Sequence, residues 1–247
     1  KLIAFDSTDH IFVPLLINHL KISKKLSSSE WACSISKSWL ISTNIPSQHG
    51  NVKRNSYVAS HATNSASCLL ILEMENKGRP LSQVLVEKPN VAPRTLSRIF
   101  SKLITILADW ETEYCFEHRD LSLDNILVDS NNKVTIIDYK LCKLVDVQNS
   151  GKNGVPTTIF TKLDHPLFFV RSPHYEVYSE LRQIEPYIKN NVLGWPHIIW
   201  LKYILHSMLK SCKIKDKHFE VMKEWLHFII KHQGEVLTCK ELSKYRK

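Results

Sequence analysis

Three oxygen-bearing side chains lie within a short stretch of this 247-residue chain: Asp120, Asn125 and Asp138. After Asn125 come Ile126-Leu127-Val128, a polar run Asp129-Ser130-Asn131-Asn132-Lys133, and then Val134-Thr135-Ile136-Ile137. The two apolar runs read as short strands, and the residues between them are those that turns favour. Such a hairpin carries Asn125 and Asp138 to one place. Carboxylates and amides are hard oxygen donors, and magnesium takes only a few of these from a protein. The chemistry such a set suits is phosphoryl transfer, which asks a protein for positioning and charge neutralisation more than for covalent steps.

The wider pattern is Phe116-Glu117-His118-Arg119-Asp120-Leu121, then Asn125, then Asp138. It resembles the protein-kinase catalytic loop and the metal-binding Asp that follows it. That resemblance implies Asp120 as the catalytic residue, accepting or orienting the proton of the substrate hydroxyl. It implies Asn125 and Asp138 as the magnesium ligands. A closer resemblance is to haspin, a family of atypical eukaryotic serine/threonine protein kinases. It rests on Phe116 to Leu121 and on Ile136-Ile137-Asp138-Tyr139. Haspins continue Asp-Tyr with Thr, whereas this chain has Lys140. With no glycine after Asp138, this segment is expected to be more fixed than in most kinases.

The resemblance runs from Lys1 to about Lys210 and implies an α+β, bilobal protein-kinase-like fold. The N-terminal lobe would be truncated and span residues 1–76; the C-terminal lobe, mostly helical, would span 77–247. Lys1-Leu2-Ile3-Ala4-Phe5 reads as a strand, with Lys1 at the lysine that touches the α- and β-phosphates of ATP. Phe12 to Ser27 reads as a helix with Leu15, Leu16, Leu20 and Leu26 as apolar positions. His19 stands where kinases carry the glutamate that pairs with that lysine, and Glu30 is the nearest glutamate. Cys68 to Glu75 reads as a buried strand leading to an interlobe hinge. There Met74 would line the pocket, and the backbone of Glu75, Asn76 and Lys77 would bind adenine. Leu127, Asp120, Asn125 and Asp138 complete the implied ATP-binding set.

The elements that must position these residues are partly legible. Leu96, Ile99, Leu103, Ile106, Leu107, Trp110 and Tyr114 recur at helical spacing, so Arg94 to Tyr114 is predicted to be a helix started by Pro93. It delivers the chain into the catalytic loop. Trp39-Leu40-Ile41 reads as a strand, and Trp31 and Trp39 as core. Trp195 to Leu205 resembles a haspin helix, and Phe219 to His232 reads as amphipathic. Tyr175-Glu176-Val177-Tyr178 and Asp164-His165-Pro166-Leu167-Phe168 also resemble haspin pieces. Where haspins carry acids that hold a basic histone tail, this chain has Phe169 to His174, including Arg171.

Composition narrows the classes further. The hydrophobic fraction of 43% is enough for a core, and no run of 18 apolar residues exists to span a membrane. The six cysteines form no Cys-x-x-Cys, which argues against zinc and a disulfide framework. Neither His-Glu-x-x-His nor Gly-x-Ser-x-Gly occurs. The net charge of +9 fits either a solvated surface or a polyanionic partner, so direct nucleic-acid binding is left open. The chain opens on Lys1 rather than Met and lacks a glycine-rich loop, so it reads as a fragment, a processed product or a trimmed chain.

The expectation from these residues is a monomeric, ATP- and Mg2+-dependent serine/threonine protein kinase. Its implied substrate is a protein, with a threonine of a histone tail in mitotic chromatin as the family's example. The implied location is the nucleus with a cytoplasmic pool, and no membrane partner is expected. Two alternatives stand beside it: a pseudokinase acting as a binding module, and a small-molecule kinase of related fold. His19, Lys140 and the missing glycine-rich loop favour the pseudokinase; Asp120, Asn125 and Asp138 oppose it.

Overall fold

The computed structural model describes residues 2–6, 12–43, 67–87, 91–146, 157–161, 163, 174–188, 194–232 and 238–245. Lys1, the Asp164–Phe168 stretch and Arg171 lie outside them. The described residues form a mixed α and β structure in which helix predominates.

The first part is a three-stranded antiparallel sheet and one helix. Strands β1 (Leu2–Asp6), β2 (Ile35–Thr43) and β3 (Ser67–Met74) pair in the order β1-β3-β2. Helix α1 (Phe12–Lys25) carries two neighbouring apolar stripes. Leu16 and Leu20 pack with Leu70, Leu72, Ile35 and Met74 of the sheet. Leu15 and Ile22, with Leu26 just beyond the helix, join the main core instead. One helix therefore binds the sheet to the rest of the molecule, because residues spaced by three and four share a helix face.

The strand expected around Trp39 is present, but Trp39 is 44% exposed and not core. The pairing order explains the correction. β2 lies on the sheet edge beside the central β3, and Ser36 to Leu40 are all exposed. Trp31 behaves as read, packing against the core under the ammonium of Lys102 at 3.5 Å.

A second sheet holds the hairpin that carries Asn125 and Asp138. Strands β4 (Arg79–Pro80), β5 (Ile126–Val128) and β6 (Val134–Ile136) run antiparallel in that order. Asp129 Oδ1 accepts the N–H groups of Asn131 and Lys133 at 2.8 Å, and Asn132 takes a left-handed φ of 61°, closing the turn as its composition predicts. Gly78 lets β4 approach: at φ 119°, an added Cβ would lie 2.4 Å from the Val128 carbonyl oxygen.

Helices make the remainder: α2 (Leu81–Glu87), α3 (Pro93–Tyr114), α4 (Tyr175–Ile188), α5 (Trp195–Ser211), α6 (Lys217–Lys231) and α7 (Cys239–Lys244). The predicted apolar stripe of α3 is buried from Leu96 through Trp110 against α5, α6 and the hairpin residues Ile126 and Ile136. The helix ends at Cys115 in a left-handed conformation, φ 44°, whose N–H returns to the Trp110 carbonyl. That conformation is usually supplied by glycine. It turns the chain straight into the loop from Phe116 to Asn125. A short hairpin, β7 (Leu144–Asp146) with β8 (Thr157–Ile159), follows that loop. Among the described residues no helix is long and apolar enough to cross a membrane.

Candidate active site

The loop from Phe116 to Asn125 is fixed chiefly through its backbone. His118 is fully buried, and its Nε2 donates to the Ile137 carbonyl at 3.0 Å. Burial drives its pKa down to about 4, although the bond to Ile137 works the other way, so the ring is neutral at pH 7. The His118 N–H donates to Nε2 of His197 at 2.9 Å. Since that nitrogen accepts, the His197 proton sits on Nδ1, which meets Glu111 Oε1 at 2.7 Å. The other Glu111 oxygen accepts the Cys239 N–H at 2.9 Å. A buried carboxylate thus ties α3, α5 and the start of α7 to the Phe116–Asn125 loop. Glu111, His197 and Cys239 bring ligand-type atoms within 4.8 Å of one another. Both His197 nitrogens are already engaged, however, so this is a hydrogen-bond cluster and not a metal centre.

Arg119 adopts a left-handed φ of 63° and is 1% exposed. Its guanidinium donates to the Thr161 carbonyl at 2.5 Å and lies over the Phe160 ring at 4.6 Å. Thr161 is bound from two further sides: its hydroxyl accepts from Asn18 of α1 at 2.7 Å and donates to the Lys140 carbonyl at 3.0 Å.

Asp120, Asn125 and Asp138 do come together. Asn125 Nδ2 donates to the Asp120 carbonyl at 2.8 Å, and the Asn125 carbonyl accepts the Ile137 N–H at 3.0 Å. The hairpin places Asp138 just beyond β6, at a left-handed φ of 68°. Such conformations in non-glycine residues cost about 1–3 kcal/mol each and gather at functional sites. Burial raises the Asp120 carboxyl to about 7. The hydroxyl of Tyr178, donating at 2.5 Å, opposes that rise; Asp138 adds to it, and Lys140 and Asn125 counter it. Desolvation wins, which leaves Asp120 poised near neutrality, where a general base is most effective.

The Asp138 carboxylate meets the Lys140 ammonium at 3.1 Å. Burial works against the charge on Lys140, yet Asp138 and Asp120 hold its pKa above the ordinary lysine range. His19 of α1 is buried; its Nδ1 accepts the Tyr139 N–H at 3.1 Å and lies 3.8 Å from Asp138. Tyr139 is fully buried, with its hydroxyl on the Ile136 carbonyl at 2.6 Å. These bonds hold the Asp138–Lys140 segment from both sides. Glu30, the nearest glutamate to His19 in sequence, instead pairs with Lys133 at 3.2 Å.

The remaining predicted residues are placed as follows. Lys1 lies outside the described residues. Met74 ends β3 and packs with Leu16, Leu70 and Leu72. Glu75 and Lys77 form an ion pair at 2.5 Å, and the Glu75 carbonyl accepts from the Cys33 thiol at 3.4 Å. Asn76 Oδ1 accepts the Gly78 N–H at 3.1 Å. Leu127 is half-buried in the middle of β5. Cys33, Cys115, Cys142, Cys212 and Cys239 are free thiols.

The donor set fits magnesium. Asn125 commits its nitrogen to Asp120, so its oxygen is the atom left to ligate, beside the carboxylate of Asp138. Sequence reading assigned no role to Tyr178, Glu111 or His197. A Tyr in a quoted family motif gave a faint signal for the first; the other two gave none.

Comparison with known proteins finds similar sequences. A family model described as a haspin-like kinase domain matches residues 8–245. Two serine/threonine-protein kinase haspin homologues of Saccharomyces cerevisiae, ALK2 and ALK1, are 29% and 28% identical over 163 and 153 residues, or 63% and 57% of this chain. A haspin homologue of Drosophila melanogaster is 30% identical over 166 residues, 58% of this chain. The matches span 22%, 19% and 28% of those proteins, so the chain corresponds to only a part of each.

Proposed function

For a chain that belongs to the haspin-like kinase family, we propose transfer of the γ-phosphate of ATP to a serine or threonine hydroxyl of a protein. The observation that carries this reading is the Asp120–Asn125–Asp138 constellation, drawn together by the Asn125 side-chain bond to the Asp120 carbonyl and the Ile137 N–H bond to the Asn125 carbonyl. Asp120 takes the hydroxyl proton, and Tyr178 fixes the orientation of its carboxyl. Asn125 and Asp138 would hold magnesium, which when bound neutralises charge on the transferring phosphate. Positioning of this kind is worth several kcal/mol of barrier. On the same reading, residues 1–76 and 77–247 are the two kinase lobes, with adenine against Met74 to Lys77 and Leu127. The substrate would be a threonine of a histone tail in mitotic chromatin, and the site of action nuclear.

A second reading, a pseudokinase that binds without catalysis, is favoured by one observation, the Lys140 ammonium seated on Asp138. Labelled γ-phosphate, ATP and magnesium with mixed core histones separate the two. Transfer that disappears in Asp120→Asn supports the kinase; no transfer to histones or to generic protein substrates supports the pseudokinase.

A further inference from the structure

Lys140 sits two residues beyond Asp138, and the connection between them is locked. The Tyr139 N–H is held by His19 and its hydroxyl by the Ile136 carbonyl, both in buried surroundings. The Lys140 carbonyl accepts from Thr161, and the Tyr139 carbonyl accepts the Cys142 N–H at 3.3 Å. The ammonium therefore cannot leave Asp138 by a backbone swing without breaking several of these bonds; only its side-chain torsions are available. With 28% exposure the lysine side chain borders solvent, while that of Asp138 is 12% exposed. The ion pair thus forms at the mouth of the same carboxylate that the kinase reading gives to magnesium. Asp120 lies close enough to attract the same ammonium.

Resting on that reading, we infer that Lys140 is a tethered cation that competes with the divalent metal ion for Asp138. The chain's own ammonium neutralises the carboxylate when nucleotide is absent. Metal binding is then weakened, because a divalent ion arriving at Asp138 meets a fixed positive charge beside its ligand. Nucleotide relieves the competition. Its phosphates bring negative charge that both cations can share, and Lys140 has the torsional freedom to turn from the carboxylate to a phosphate oxygen. Occupancy of the metal site becomes coupled to nucleotide, and a linkage of this kind is reciprocal.

The test is Mn2+ binding to the full chain, followed by electron paramagnetic resonance, with and without a non-hydrolysable ATP analogue. Manganese shares the hard oxygen preference of magnesium. Lys140→Met keeps the stem and removes the charge; Lys140→Thr is a second, smaller variant. Without nucleotide, both are expected to bind Mn2+ about tenfold more tightly than the parent, equivalent to about 1.4 kcal/mol. With the analogue the gap narrows, and in the double variant Lys140→Met with Asp138→Asn the gain disappears. Equal or weaker binding in both single variants overturns the inference and leaves the kinase reading standing. Absence of Mn2+ binding in every protein, with nucleotide or without, overturns both.

Discussion

The hydroxyl of Tyr178 lowers the proton affinity that burial gives Asp120, and removing it should give a measurable shift. Tyr178 donates to Asp120 Oδ1 at 2.5 Å and is the largest of the effects that hold the carboxyl down against burial. A hydrogen bond to a charged group contributes roughly 1.5–3 kcal/mol. One pKa unit corresponds to about 1.4 kcal/mol, so Tyr178→Phe should raise Asp120 from about 7 by at least about one unit. With the carboxylate as the base, activity rises with pH through that value. A shift of about one unit cuts the ionised fraction at pH 7 from about a half to about a tenth, roughly a fivefold loss. The loss recovers by about pH 9, where both proteins are ionised. The assay is kcat/KM for phosphate transfer from labelled ATP to mixed core histones, profiled from about pH 6 to about pH 9. An acidic limb that stays in place would refute the reasoning. A loss that is uniform across pH would reassign Tyr178 from proton affinity to positioning alone.

Two further outcomes follow from the same buried groups. His118 has its folded pKa depressed to about 4, so its contribution to stability is present above the ordinary value near 6.5 and lost as pH falls from there to about 4. Urea unfolding should lose about 3 kcal/mol over that window, and His118→Asn should flatten the profile; an unchanged slope in the variant would assign the acid sensitivity elsewhere. His19 is a positioning residue for Asp138 through the Tyr139 N–H. His19→Leu should cost about 1–3 kcal/mol of stability and lower kcat more than it changes KM, with partial rescue by His19→Gln, which can still accept that hydrogen bond. Full activity in His19→Leu would dismiss the role.

The parts of this site that were legible in the sequence are those that lie close along the chain. Asp120, Asn125 and Asp138 fall on one loop and one hairpin, and their residue types and spacing already specify oxygen donors on a common edge. The helix that delivers them, Pro93 to Tyr114, announced itself through its apolar period. What could not be read was support from a distance: Tyr178 reaches Asp120 across 58 residues, His197 reaches His118 across 79, and His19 reaches Tyr139 across 120. Helix α7 had a local signal, the Thr238–Glu241 capping box, but so short an element is set by its burial of Cys239 and Leu242 against the core. Trp39 failed for the opposite reason, since β propensity says nothing of which strand becomes the edge.

His19 shows how a missing residue type can be misleading and its position still informative. Aligned with the kinase glutamate, it looked like a loss of function, because an imidazole does not replace a carboxylate as a partner for lysine. In the fold it faces inward from the same helix, but its partner is the backbone of the Asp138 segment. The link from α1 to the Asp138 segment is made through a hydrogen bond in place of a charge. Lys140 then supplies positive charge to that Asp from within its own segment. The two departures read as one rearrangement: the cation beside Asp138 comes from the residue two positions along the chain, and the helix residue that would have paired with a lysine is free to hold the turn between them. A variant restoring only one of the two, Lys140→Thr alone, should therefore change metal affinity without loosening Tyr139, whereas His19→Leu should loosen Tyr139 with Lys140 still charged.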